Sequence, residues 1–215
     1  MLELYGHPFS SYTWKVLIAL YANATPFTFR MVGPDEPENS ARVKRASPQG
    51  KFPLLVDGEL ELFETSVIIE HLARHHPGLA FLLPTDPDDA IRMRMIDRVF
   101  DHYVMNIMQE SVDDAIRHGA VSDEVRDRVG ERLLNSYRWI EGWLASYDRP
   151  ATISLIECAA APALFYADWV HPIPDECPRL RAWRAHLLAL PPVARCVDDA
   201  RPYRSYFPLG APDRD

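Results

Sequence analysis

A chain of 215 residues that is 47% hydrophobic and 25% charged has the composition of a globular protein, with room for one large domain or two small ones. Its formal net charge of −8, with acids and bases interleaved, argues against the basic face that nucleic acid or an anionic membrane requires. No run approaches the ~18 apolar residues of a membrane span, and no basic segment precedes an apolar run at the N-terminus, so a cytoplasmic chain without a membrane partner is expected.

In chain order, Leu2 and Leu4 start a strand, and Ser10-Ser11 then caps a helix whose stripe is Trp14, Leu17, Ile18 and Tyr21. Phe27, Phe29 and Met31 alternate with Thr28 and Arg30 as a half-buried second strand, followed by a Pro/Asp/Glu-rich loop through Asn39. Leu54-Leu55-Val56 and Glu59-Leu60-Glu61-Leu62 flank Asp57-Gly58, the signature of a hairpin turning on that dipeptide. Thr65 and Ser66 open a helix that runs to about His76, before Pro77-Gly78. The order expected is βαβαββα, an α/β domain over 1–78, followed by a Pro/Asp-rich linker over 79–89.

No convincing strand follows, so residues 90–215 are expected to be all-helical. Ile91, Met95, Val99 and Tyr103 step by four, as do Val125, Val129, Leu133 and Tyr137 with Ile140 and Leu144 beyond them, which predicts two amphipathic helices pairing antiparallel across Gly119. Ser154 and Glu157 have capping-box spacing, with Ile153 placed to staple against Cys158. Shorter helices follow Pro178 and Pro191.

Cys158, Cys177 and Cys196 are odd in number and lack metal-ligand spacing, so neither a disulfide nor a zinc-cysteine site is expected. His71 and His75, four apart on a helix, have a spacing that suits a metal, but a third ligand is absent and no metal site is expected. Trp139 and Trp143 read as helix-packing residues.

Three segments carry a more specific message: Leu4-Tyr5-Gly6-His7-Pro8-Phe9-Ser10-Ser11, Pro48-Gln49-Gly50-Lys51-Phe52-Pro53-Leu54-Leu55, and Glu64-Thr65-Ser66-Val67-Ile68-Ile69-Glu70-His71-Leu72. Together they resemble the glutathione transferase family across essentially the whole chain. The resemblance implies a two-domain fold with a thioredoxin-like glutathione-binding domain first. Ser10, six residues before Val16 in the run VLIAL, stands where serine-type members carry the catalytic hydroxyl. There it would donate a hydrogen bond to the glutathione sulfur at the positive end of the first helix, with Ser11, Tyr5 and Tyr12 as competing donors.

On the same resemblance, Pro53 stands at a cis-proline position that turns the Phe52 backbone toward the peptide, and Glu64 and Thr65 match the acid-hydroxyl pair that meets the γ-glutamyl group. Lys51 stands near the glycine end, where Arg42, Lys44 and Arg45 are further candidates, and Phe9, Tyr12, Tyr103 and Ile107 are candidates for an electrophile pocket. The implied activity is conjugation of glutathione to hydrophobic electrophiles by a homodimer. Two alternatives stay open: a non-catalytic binding or regulatory protein on this fold, and a zeta-like isomerase. Ser10-Ser11-Tyr12-Thr13-Trp14-Lys15-Val16 resembles the zeta class, although with Tyr12 at that class's cysteine, and Gly6-His7-Pro8 resembles the plant phi class.

Overall fold

The computed structural model describes residues 1–215. Strands β1 (Leu2–Gly6), β2 (Thr28–Met31), β3 (Leu54–Asp57) and β4 (Leu60–Phe63) form one mixed sheet in the order β2-β1-β3-β4. β1 runs parallel to β2 and antiparallel to β3, with Leu4 opposite Phe29 on one side and Leu55 on the other. Because strand side chains alternate faces, Leu2, Leu4 and Leu55 enter the large core. Tyr5, Leu54 and Val56 face the other way and form a small cluster with Val43 of helix α2 (Pro37–Ala46).

Helix α1 (Ser11–Ala22) and helix α3 (Thr65–His75) lie on the large-core face. The stripe expected on α1 is only part of what it buries: every residue from Thr13 to Leu20 is inside. A helix apolar on all sides is one covered on all sides, and α1 packs against α3 as well as against two helices of the second half, α7 (Leu155–Val170) and α9 (Pro191–Ala200).

Two local expectations are corrected. The acidic loop gives way to α2 at Pro37, two residues before Asn39, because proline is favourable in a first helical turn. In the hairpin Asp57 pairs with Leu60, so the two turn residues are Gly58 and Glu59, with Gly58 at φ +62° in the first turn position.

The second half is helical throughout. Helix α4 (Pro87–Arg98), capped by Asp86, begins inside the span read as linker. It runs on through a π-helical segment (Val99–Met105) into α5 (Asn106–His118), which ends at Gly119 in the left-handed conformation. Helix α6 (Asp123–Leu144) returns antiparallel: Glu110 meets Arg128 and Arg132, and the Tyr103 carbonyl accepts from Ser136. Its stripe Val129, Leu133, Tyr137 and Ile140 is buried as expected.

Of the α4 stripe, only Val99 is. Ile91, Met95 and Tyr103 are 62%, 56% and 59% exposed, and the core is filled by Ile96, Val99, Phe100 and Val104. The step-by-four pattern assumed an unbroken α-helix facing the core, whereas the inward face is a different one and passes through the π-helical turns.

The Ser154–Glu157 capping box opens α7 as expected. Helix α8 (Pro178–Ala189) and α9 follow the two prolines, and a 3-10 segment (Arg201–Tyr206) closes the helical part. All three cysteines are free and buried. Trp143 packs against Tyr147 and Trp183, whereas Trp139 is half exposed.

The two halves are joined by a buried charge cluster. Lys15 of α1 is 1% exposed; its ammonium donates to both oxygens of Asp101 (2.8 and 2.7 Å) and to Ser66 Oγ of α3 (3.0 Å). Asp97 of α4 lies 2.6 Å away as an ion-pair contact and accepts from the Ser66 hydroxyl at 2.7 Å. Removing one member of a buried ion pair strands the others without their counter-charge, at a cost of about 3–5 kcal/mol. Lys15→Met should therefore lower the unfolding free energy by about that much, read from urea denaturation of the whole chain. A loss under about 1 kcal/mol would show that the cluster contributes no more than an exposed pair.

Candidate functional site

A cleft of about 220 Å³ opens where the sheet domain meets α4 and the π-helical turns. Its lining brings together six residues singled out in the sequence, Tyr12, Lys51, Phe52, Pro53, Glu64 and Thr65. From the helical side come Arg98, Asp101, His102 and Asn106, none of which sequence reasoning identified. Arg98, Asp101 or His102, and Asn106 recur at helical spacing, a polar stripe legible in principle, but nothing in the sequence tells that stripe from a solvated face.

Each element arrives with binding capacity unspent. Helix α3 begins at Thr65 without a side-chain cap, so its first N–H groups and the positive end of its dipole face an approaching anion. The Thr65 hydroxyl makes no hydrogen bond within the protein, whereas Ser66 is committed to Asp97. Phe52 precedes Pro53 through a cis peptide, and neither its N–H nor its C=O pairs with other backbone, leaving an extended edge that can accept a peptide strand.

Glu64 is held at φ +73°, a region that side-chain-bearing residues avoid, and its carboxylate is exposed at the cleft rim without an ion pair. The exposed Lys51 ammonium is likewise unpaired. The cleft thus presents fixed groups of both signs, suited to a zwitterionic ligand.

Asp101 and Arg98 form the inner wall. Burial pushes the Asp101 carboxyl above the ordinary carboxylate range, opposed chiefly by the Lys15 ammonium. The Arg98 guanidinium stands 3.5 Å from Asp101.

Ser10 does not line this cleft. It is the N-cap of α1, accepting from the Thr13 N–H at 3.2 Å and leaving its own proton free to donate. The loop before it is held from several sides: Tyr166 donates to the Phe9 carbonyl (2.9 Å), the Trp14 indole donates to the Pro8 carbonyl, and the Phe9 N–H donates to His7 Nδ1 (3.1 Å). Gly6 permits this packing, since a Cβ there would come within 2.6 Å of Thr13.

Of the competing donors, Tyr12 lines the cleft but gives its hydroxyl proton to Asn106 Oδ1 at 2.8 Å, and burial pushes its ionisation well above the ordinary phenol range. Tyr5 donates to Glu3 and accepts from Arg42, in the small cluster beneath the sheet. Ser11 is the first residue of α1.

Other candidates are dispersed. Arg42 is engaged by Glu61 at 2.9 Å, and neither Lys44 nor Arg45 lines the cleft. Ile107 is 3% exposed in the core and Tyr103 points outward, so neither lines a pocket with Tyr12; Phe9 packs edge-on against Tyr166. His71 approaches Asp57 and His76, two donors that the i, i+4 spacing with His75 did not reveal.

A family model for the N-terminal domain of glutathione S-transferase matches residues 4–80. Residues 4–80 are thus matched to the N-terminal domain of that family. It is 29% identical over 192 residues to the uncharacterised GST-like protein YibF of Escherichia coli, covering 88% of this chain and 91% of that one. Among solved structures, a glutathione S-transferase from Methylobacillus flagellatus with glutathione bound superposes with a TM-score of 0.78 at 21% identity, covering 91% and 98% of the two chains. A bacterial zeta-class maleylpyruvate isomerase superposes with a TM-score of 0.76 at 24% identity, covering 93% and 98%. The transferase fold, a thioredoxin-like domain followed by a helical one, is thus shared.

The positive φ of Glu64 at the cleft rim is carried at a cost to the fold. Glu64→Gly removes the Cβ conflict at φ +73° and should raise the unfolding free energy by about 1 kcal/mol, measured by urea denaturation. An unchanged or lowered stability would mean that the backbone there is unstrained.

Proposed function

We propose that this chain binds glutathione in the cleft and conjugates its thiolate to hydrophobic electrophiles. The observation that carries the reading is the convergence of an uncapped α3 N-terminus, the free Thr65 hydroxyl, the exposed Glu64 carboxylate and the unpaired Phe52 backbone on one cleft. The γ-glutamyl carboxylate sits on the Thr65 hydroxyl and the helix N–H groups, its ammonium meets Glu64, and the cysteinyl backbone pairs with Phe52 as an added strand beside Pro53. Lys51 takes the glycyl carboxylate. Residues 1–78 constitute the binding domain, and residues 90–215 supply the electrophile side.

The sulfur then lies at the N-terminus of α1, where Ser10 donates its free hydroxyl proton. A free thiol of pKa about 8.5 is only a few per cent thiolate at neutral pH. A hydrogen bond to a charged group, about 1.5–3 kcal/mol, and a helix terminus, about 0.3–1 kcal/mol, together suffice to lower that pKa by one to two units. Ser10 is favoured over Tyr12 because Tyr12 would first have to surrender Asn106. The nucleophile belongs to glutathione, and the protein's work is positioning and electrostatic stabilisation.

The exposed stripe Ile91, Met95 and Tyr103 fits a homodimer contact, and a cytoplasmic setting agrees with the absence of any helix able to cross a membrane. A second reading, glutathione-dependent isomerisation of a cis-enedione acid, is favoured by the Ser10-Ser11 and Trp14-x-Val16 run and the likeness to a zeta-class isomerase. Glutathione binding and thiolate stabilisation are common to both.

Calorimetric titration of glutathione into the wild type, Glu64→Gln and Thr65→Ala tests the site. Each substitution should weaken binding about 10-fold or more, the worth of one charge-assisted hydrogen bond. Wild-type binding unaffected by either would remove the peptide from this cleft, and no binding at all would end the glutathione reading. With binding established, turnover of maleylacetoacetate without conjugation of aryl halides would select the isomerase.

A further inference from the structure

The opposite end of α3 carries a second cluster of donors. Along the helix, His71 lies about 9 Å and His76 about 16 Å of rise from Thr65 at the cleft end. There, Nε2 of His71 lies 3.0 Å and Nε2 of His76 lies 2.7 Å from the same oxygen, Oδ2 of Asp57 at the end of β3. The three donor atoms fall within 4.8 Å of one another. Their side chains are 12%, 28% and 26% exposed, open enough for an ion to enter yet held by the sheet and helix that carry them.

Several observations point to a cation here rather than a fortuitous pair of hydrogen bonds. No lysine or arginine pairs with Asp57, so its charge is met only by the imidazoles. The other Asp57 oxygen and both Nδ1 atoms make no hydrogen bond within the protein, leaving Asp57 free to reorient and each ring free to carry its proton on the solvent side while Nε2 ligates. His76 is the C-cap of α3, where the negative end of the helix dipole favours positive charge. Around a tetrahedral ion at about 2.0–2.2 Å from each donor, neighbouring donors stand roughly 3.3 Å apart; the two histidine–aspartate contacts would open slightly to reach it, and the two imidazole donor nitrogens start within 4.8 Å of each other.

We propose that Asp57, His71 and His76 form a binding site for divalent zinc that clips the end of β3 to the C-terminus of α3. Two imidazole nitrogens and one carboxylate oxygen are a borderline donor set that favours zinc over the oxygen-seeking magnesium and calcium, and water completes the tetrahedron. The ring of His75, which lies against that of His71 at 4.7 Å, packs on the site without joining it. This inference is independent of the glutathione reading and of the cleft.

The test is calorimetric titration of zinc chloride into the untagged, chelator-treated full-length chain, with a matched thermal melt. One zinc per chain is expected, with a rise in Tm, and His71→Gln and His76→Gln should each weaken binding at least ~10-fold and reduce the rise. His118→Gln, at the exposed end of α5, should change neither. His76 caps the helix rather than lying within it, so its variant carries the test even where substitution at His71 unfolds the domain. No one-to-one binding below millimolar zinc, or binding that His76→Gln leaves unaltered, would overturn the proposal.

Discussion

The Lys15 ammonium is the point on which the rest of the architecture turns. Burying it is costly, and the cost is offset only because Asp97, Asp101 and Ser66 all reach it. Those partners come from α3, α4 and the π-helical turns, so the satisfaction of one charge ties the first helix of the sheet domain to the helical half. The consequence for the site is direct: Thr65 precedes Ser66, Arg98 adjoins Asp97, and Asp101 itself lines the cleft. The π-helical turns belong to the same arrangement, since they set the register at which Asp101, His102 and Asn106 follow Arg98.

Around this rigid junction the protein leaves local rules unmet. Glu64 holds a positive φ, α3 starts without a side-chain cap, and the Phe52 backbone edge goes unpaired. Any one could be an accident of folding. Their coincidence on one cleft is what a preorganised binding site looks like, where strain and unsatisfied donors are kept for a ligand instead of being relaxed by the chain. Ser10 follows the same logic on α1, with its oxygen spent on the cap and its proton left over.

How far the sequence alone reaches depends on the range of the interaction involved. The hairpin, the Ser154–Glu157 box and the α6 stripe were legible because each is specified within a few residues. The first helix was legible as a helix but not as a completely buried one, since its outer face is covered by α7 and α9. Lys15 looked like any lysine in an apolar helix, its acidic partner 86 residues away. The α4 stripe misled because periodicity identifies an apolar face without saying what that face meets. The cluster at His71 was hidden for a related reason: Asp57 comes from a strand, and His76 lies just past the helix where i, i+4 spacing no longer applies. Of the site itself, the sheet-domain residues were reached through the resemblance of three segments, whereas the residues of the helical wall carried no signal to separate them from a solvated face.

The central claim is that Ser10 and the N-terminus of α1 hold glutathione as thiolate. The most direct test is an ultraviolet titration of thiolate absorbance in the wild-type complex and in Ser10→Ala, with Tyr12→Phe alongside. The account predicts a thiol pKa lowered by one to two units from about 8.5 in the wild type and in Tyr12→Phe, and returned most of the way to the free value in Ser10→Ala. Bound glutathione with an unshifted pKa in the wild type, or a depression that survives loss of Ser10 and vanishes with Tyr12, would contradict it.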